Sequence, residues 1–275
     1  MLGYHGIDDE TTFERHLQIL VTEARPVSVE EVLHAERKSL PMAPGAVLLT
    51  FDDAGPSLLN PGLTLLRKYD VPAVAFVVAG HLDDDQPFWW DEVTQLSGLG
   101  GWASGFEGME PRDLVRNLKR VPNETRLAVL DAMRATSSAP APRSPQLRTT
   151  DLSTLEDAGV AVGNHSLTHP CLPRCSPATI GFELSASQDI LASALGHRPV
   201  SIAYPNGDVD EKVLGVAARQ GFGLGFLFDH QLAKVPIENP LRISRARVNS
   251  TTNLNRFRAI VSGLHPTVHR LIGRH

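Results

Sequence analysis

The sequence predicts an α/β fold in which short buried strands alternate with helices. Three observations carry this expectation. Apolar runs at 46–51, 73–78 and 160–164 are brief and nearly free of polar residues, as strands buried on both faces require. The stretches between them carry apolar residues at helical spacing. Two of the runs lead straight into chemistry-bearing residues, Asp52-Asp53 and His165 to His169. The carboxyl ends of strands are where α/β folds place their chemistry.

With 275 residues, the chain suits one large domain or two small ones, and a core of ample size. Hydrophobic residues make up 42% and charged residues 21%, which excludes a disordered or fibrous class. The net charge of −5 gives no reason to expect nucleic acid as a partner. Two cysteines exclude a disulfide scaffold. No apolar run reaches transmembrane length. Residues 2–5 enter a strand at once, so the sequence as it stands shows no leader and reads as cytoplasmic. An exported chain trimmed of its leader would read the same.

In order along the chain, residues 2–5 form a minimal first strand. Thr11 or Thr12 can cap a helix that puts Phe13, Leu17 and Leu20 on one face. Ser28 and Glu31 have the spacing of a capping box and start a second helix. After a turn at 41–45 comes the strand that ends in Asp52 and Asp53. Residues 58–69 read as a helix with Leu59, Leu63 and Leu66 on one face, ended by Val71-Pro72. The run at 73–78 then completes a β-α-β unit, for which parallel strands are expected.

Residues 83–150 break the rhythm. They hold Asp83-Asp84-Asp85, the aromatic cluster Phe88-Trp89-Trp90, a Gly-rich stretch at 97–108, two helices near 111–120 and 123–135, and a Ser/Pro-rich loop. This reads as a helical insertion between barrel strands, inside one domain spanning 1–275. The alternation resumes with a short helix at 151–158 and the strand at 160–164. A long helix at 177–195 turns Ile180, Leu184, Ile190, Leu191 and Leu195 broadly inward, and Gly196 closes it. Strand 200–204, helix 209–220, strands 222–228 and 243–248, and a helix at 253–262 with Leu254, Phe257 and Ile260 complete the chain.

Two adjacent carboxylates at a strand end repel each other and resist desolvation. A cation would remove that cost, although Asp also serves in a turn such as one before Gly55-Pro56. The second motif, His165-Ser166-Leu167-Thr168-His169-Pro170, favours the cation. Two histidines four apart, with an Asp from another strand end, suit Zn²⁺ or a similar divalent ion better than they suit an idle loop.

Thr50-Phe51-Asp52-Asp53 together with His165-Ser166-x-x-His169-Pro170 resembles the polysaccharide deacetylases, carbohydrate esterase family 4. Ile202-Ala203-Tyr204-Pro205-Asn206-Gly207 is similar to that family's Tyr-Pro-containing strand end. Gly3-Tyr4-His5-Gly6-Ile7 resembles the branch whose first strand ends in Tyr-His, which includes poly-N-acetylglucosamine deacetylases. The resemblance spans nearly the whole chain apart from 83–150. It implies a distorted (β/α)7-type barrel with a helical insertion, and a metal-dependent hydrolase removing N-acetyl groups from an amino-sugar polysaccharide, oligosaccharide or glycoconjugate. An acetylated carbohydrate is the partner it implies.

The resemblance also implies roles. Asp53, His165 and His169 would ligate the ion, expected to be zinc, and leave coordination positions for water and substrate. Asp52 would be the general base, the alternative being a carboxylate that only orients a ligand. The late Leu-x-His motif that supplies the acid in better-known members has no clean copy, since Phe228-Asp229-His230 and Leu264-His265 match poorly. In the Tyr-His branch a first-strand His takes that place. Here it is His5, with a structural histidine as the alternative and His230 in reserve. The Arg that orients the base in many members falls at Ala203; either Arg242 or Arg245 substitutes for it, or Asp52 is tuned without an Arg. Tyr204 resembles the position whose backbone amide helps bind the oxyanion.

Two features admit other readings. His165, His169, Cys171 and Cys175 have a spacing that suggests a closed structural zinc site, but that would leave Asp53 without a role, and Pro170 and Pro173 restrict the loop. Phe88-Trp89-Trp90 could stack on sugar rings or pack the insertion. The rival functions are an O-acetyl esterase, or a non-sugar amide or imide hydrolase, of the same fold. A carbohydrate-binding protein with a decayed site is opposed by the intact Asp52, Asp53, His165 and His169.

Overall fold

The computed structural model describes residues 1–234 and 236–264; His265 of the late motif lies outside them. In chain order the elements are β1 (Leu2–Tyr4), α1 (Glu10–Glu23), β2 (Arg25–Pro26), α2 (Val29–Arg37), β3 (Ala46–Val47), β4 (Leu49–Phe51), α3 (Leu63–Tyr69), β5 (Ala73–Val77), α4 (Trp89–Gly98), α5 (Pro111–Leu118), α6 (Asn123–Thr136), α7 (Thr149–Glu156), β6 (Val160–Asn164), α8 (Pro177–Leu195), β7 (Ser201–Ala203), α9 (Glu211–Arg219), β8 (Leu224–Phe226), β9 (Ala246–Arg247) and α10 (Leu254–Val261).

Seven strands form one sheet in the order β8-β7-β6-β5-β4-β1-β9, every pair parallel. Ile243 bridges Phe226 of β8, and three residues later the same chain pairs with β1 as β9. The sheet therefore curls into the expected (β/α)7-type barrel, with residues 243–247 spanning its seam. Period-two alternation explains why β5 is buried throughout. Ala73, Ala75 and Val77 face the helices outside, while Val74 and Phe76 face the interior with Leu48, Leu224 and Phe226. Phe76 is fully buried, and truncating it to Ala would cost about 3–5 kcal/mol.

The elements depart from expectation where tertiary partners intervene. The strand expected from Ala46 onward changes partner at Leu48: β3 pairs with β2 in a separate ribbon, and β4 pairs with β1 and β5. Asp9, not Thr11 or Thr12, caps α1; its side chain accepts from Thr12 N at 2.9 Å. Ser28 and Glu31 do form the capping box of α2. The helix expected at 58–69 is regular only from Leu63, because Asn60 precedes Pro61 and is pushed to φ −142°, ψ 116°. On α8, Ile180, Leu184 and Leu191 are buried, but Ile190 is 38% exposed, since one residue of helix turns it off the stripe.

Between β5 and β6 the chain runs through α4 to α7. The Phe88-Trp89-Trp90 cluster opens a further helix, α4, beside the two expected near 111–120 and 123–135. Trp89, Val93, Leu96, Leu114, Leu118, Leu130 and Met133 build an apolar cluster of their own. No described helix is long and apolar enough to cross a membrane.

Candidate active site

The carboxyl end of β4 is tied on both sides. Asp52 N donates to Tyr4 O at 2.8 Å, and Ala54 N donates to Phe76 O at 3.1 Å. Between these anchors Asp53 takes a left-handed backbone, φ 50°. Ser166 and His169, after β6, are left-handed too, at φ 65° and 54°. Each such non-glycine residue costs on the order of 1 kcal/mol or more and persists only where its surroundings hold it.

The holding contacts are explicit. Asn164 Oδ1 accepts from Ser166 N at 2.7 Å, and Ser166 Oγ accepts from His169 N at 3.0 Å. Glu183 of α8 is buried; its Oε2 accepts from Leu167 N and Thr168 N, each at 2.9 Å, and its Oε1 accepts from Thr168 Oγ1 at 2.6 Å. Ser187 and Gln188 fix Asn164 Nδ2. Gly80 N donates to Leu167 O at 2.9 Å; a Cβ at Gly80 would lie 2.5 Å from that oxygen, so only glycine fits there. From the insertion, Trp89 Nε1 donates to His169 O at 3.0 Å.

The result is a cluster of three ligand atoms within 4.8 Å of one another, from Asp53, His165 and His169. Asp53 Oδ1 is 3.4 Å from Nε2 of each histidine. It is buried and has no hydrogen-bond partner. His165 Nδ1 lies 2.7 Å from Ala203 O, so that nitrogen carries the proton and Nε2 offers its lone pair. Burial pushes the His169 imidazole down to about 3, which keeps it neutral. Burial opposes ionisation of Asp53, yet the two imidazoles hold its carboxyl well below the usual carboxylate range. A lone buried carboxylate oxygen facing the Nε2 atoms of two buried imidazoles fits a divalent cation.

Asp52 faces the barrel interior. Arg245, at the barrel seam and fully buried, grips it with both arms: Nη1 to Oδ1 at 2.6 Å and Nη2 to Oδ2 at 2.7 Å. Arg245 also donates to Thr50 Oγ1 and Leu227 O, and lies over the rings of Phe76 and Phe228. Burial works against the Asp52 charge, but the Arg245 guanidinium more than offsets it and holds the carboxyl below its ordinary value. Of the two candidates for the missing Arg, Arg245 is the one at the carboxylate; Arg242 is exposed and reaches Glu211 at 3.4 Å.

His5 is exposed at the barrel mouth, its ring edge-on to Phe228 with centroids 5.1 Å apart. Desolvation lowers its pKa, and the Asp52 and Asp53 carboxylates pull it back up. His230 meets the same Phe228 ring, at 5.9 Å. Tyr204 departs from expectation: its backbone N–H donates to Phe226 O at 3.1 Å in the β7–β8 pairing, so it is not a free oxyanion donor. Its hydroxyl donates to Leu241 O at 3.0 Å. The cysteines form no closed zinc site. Cys175 Sγ–H donates to Cys171 O, Cys171 Sγ accepts from Asn206 Nδ2, and burial pushes the Cys175 thiol up to about 12.

A model of the family described as polysaccharide deacetylase matches residues 40–224. The chain belongs to that family. Among curated proteins, poly-beta-1,6-N-acetyl-D-glucosamine N-deacetylase of Escherichia coli (strain K12) is 26% identical over 116 residues, 37% of this chain and 17% of that protein. The matched stretch thus spans about a sixth of that relative. Among solved structures, the Streptococcus pyogenes deacetylase PplD in complex with acetate has a TM-score of 0.65 at 21% identity, covering 97% of this chain and 96% of that one. IcaB from Ammonifex degensii has a TM-score of 0.65 at 17% identity, covering 96% and 95%. At these identities the likeness is one of fold.

The family match contains Asp52, Asp53, His165 and His169, but neither His5 nor Arg245. Those two come from the first strand and the seam, brought to the site by barrel closure. Glu183 and Trp89 escaped the sequence reading as supports of the His loop. Glu183 did leave a signal: a carboxylate on α8 next to Leu184, on the stripe that faces inward.

Proposed function

We propose that the chain is a zinc-dependent hydrolase that removes N-acetyl groups from an amino-sugar polymer or oligosaccharide. The observation that carries this reading is Asp53 Oδ1, buried without a donor, 3.4 Å from Nε2 of both His165 and His169. A divalent ion held by these three residues would supply Lewis acidity, polarising the acetamide carbonyl and easing ionisation of water. Asp52, kept ionised by Arg245, takes the proton from the attacking water. The water oxygen bonds to the acetyl carbon and the C–N bond breaks. His5 gives a proton to the departing amine, which cannot leave as an amide anion. Acetate and a free amino sugar result. Trp90, half-buried, meets the His169 ring at 4.5 Å and stacks on Phe88 at 4.8 Å, forming an aromatic wall suited to a sugar face.

The name of the Escherichia coli relative makes poly-β-1,6-N-acetylglucosamine the first polymer to test. The experiment measures acetate released by zinc-loaded protein from that polymer, N-acetylchitooligosaccharides and acetylated xylan. Release from an N-acetylated substrate, lost together with bound zinc in Asp53→Ala, His165→Ala and His169→Ala, is expected. Release from xylan alone would make the protein an O-acetyl esterase. Full zinc occupancy in all three variants would overturn the ligand set.

A further inference from the structure

We propose that a cationic cavity beside the His169 loop binds an acidic group, a carboxylate or a phosphate, carried by the glycan. This rests on the deacetylase reading for the placement of the sugar chain. The cavity measures about 430 Å³ and its walls include Arg116, Lys119, Arg120, Arg174, Asp208 and Cys171. Four cations face one carboxylate, in a chain whose net charge is −5. The site is therefore set against the overall charge of the molecule.

Its position ties it to the reaction centre. Cys171 follows His169 by two residues, and Asp208 follows the turn at Pro205–Gly207 after β7. Asn206 Nδ2 donates to Cys171 Sγ at 3.4 Å, joining the two walls. The cavity thus opens at the carboxyl ends of β6 and β7, the end of the barrel that holds Asp53. The charge of Lys119 reaches both His169 and Asp208, and that of Arg174 reaches Asp208.

The cations are available. Arg116 pairs with Asp113 at 2.8 Å on the surface of α5. Among the described residues, Lys119, Arg120 and Arg174 make no ion pair with a carboxylate. Lys119 and Arg120 follow the carboxyl end of α5, where cations also complement the helix dipole. That role does not account for Arg174, which comes from another element to the same cavity. Three unpaired cations converging on a concave site select an anion by Coulomb attraction, and the selection weakens as salt screens it.

The test reads binding by calorimetry, so it does not depend on turnover. Hyaluronan hexasaccharide, whose acid is a carboxylate, is compared with neutral N-acetylchitohexaose. N-acetylglucosamine 1-phosphate, whose acid is a phosphate, is compared with N-acetylglucosamine. At about 0.05 M ionic strength, at least one acidic ligand should bind about tenfold tighter than its neutral partner. Preference in the first pair alone assigns a carboxylate, and in the second alone a phosphate. Lys119→Glu/Arg120→Glu should bring the ratio to about one, and the neutral pair Lys119→Gln/Arg120→Gln should fall between, with thermal melts confirming that both fold. Equal binding of acidic and neutral ligands by the wild type overturns the proposal, and so does a preference that survives both variants. If the deacetylase reading alone fails, no acetate is released from any N-acetylated ligand while the acidic preference persists.

Discussion

Asp52 is a carboxylate taken out of water, and Arg245 is what makes that tolerable. Removing one partner of such a buried pair costs about 3–5 kcal/mol, because the other charge is stranded. Asp52→Asn strands the buried Arg245 charge in the same way, so the test of the base role at Asp52 is read beside a thermal melt that confirms folding. Asp52→Asn should keep bound zinc and lower turnover by about 10²-fold or more; metal analysis beside kcat measures both, and near-normal turnover would assign the base elsewhere. His5→Ala should lose far more rate on an N-acetyl amide than on an activated acetate ester, whose leaving group needs no proton. Equal losses would mark His5 as structural. A third residue, His16, sets a pH dependence away from the site. Its Nδ1 accepts from Tyr4 Oη at 3.0 Å, its Nε2–H donates to Thr252 O at 2.7 Å, and its ring stacks on Phe257 at 3.9 Å. Burial lowers its pKa below the ordinary value near 6.5. As pH falls through about 6.5 the unfolded chain takes the proton first, so this stability is full above that pH and is lost toward the folded pKa. The urea midpoint should drop between about pH 7.5 and pH 5, and drop less in His16→Gln, where the group no longer titrates. Equal drops in the two proteins would remove His16 from the account.

The ligand loop after β6 is a short segment held from two sides, by α8 and by α4. Glu183 alone satisfies two backbone donors and one hydroxyl of that loop. Glu183→Gln keeps the volume but exchanges an acceptor oxygen for a donor facing other donors. Metal affinity should fall by about 10–100-fold, as for other supports of metal ligands, and titration against a competing chelator would measure it. Unchanged affinity would show that the left-handed turns at Ser166 and His169 hold themselves. The insertion has the same relation to the site. Trp89 is clamped by Arg126, whose guanidinium lies 5.0 Å from the ring centroid, and it passes that order to the His169 carbonyl.

For the whole molecule, the candidate metal site joins two separate parts of the barrel mouth, the end of β4 and the loop after β6, that the unfolded chain cannot hold together. Zinc should therefore stabilise the native state selectively. At a free concentration about 100 times Kd the gain is about 2.7 kcal/mol, which for a domain of this size raises Tm by about 5–10 °C. Calorimetric scans with zinc and with a chelator would show it, and coincident scans would mean that the site does not hold the ion in the native state.

Much of this protein was legible in its sequence. Buried runs ending in Asp52-Asp53 and His165 to His169, the capping box at Ser28 and the closing Gly196 are local patterns, and local sterics and burial dictate them. The seven-strand count came from resemblance, because periodicity cannot say which strands are neighbours. Asn164, Ser166 and His169 lie in one short segment, but the carboxylate that steadies it comes from α8. Arg245 is 193 positions from Asp52, and nothing in its local sequence marks it as the partner over Arg242. The Tyr204 amide is taken by Phe226 O in the sheet, a partner that its local sequence does not reveal. What the sequence determined is the set of groups proposed to bind a metal and move a proton. Only tertiary structure decided which long-range partner satisfies each buried charge and donor, because that follows from how the barrel closes.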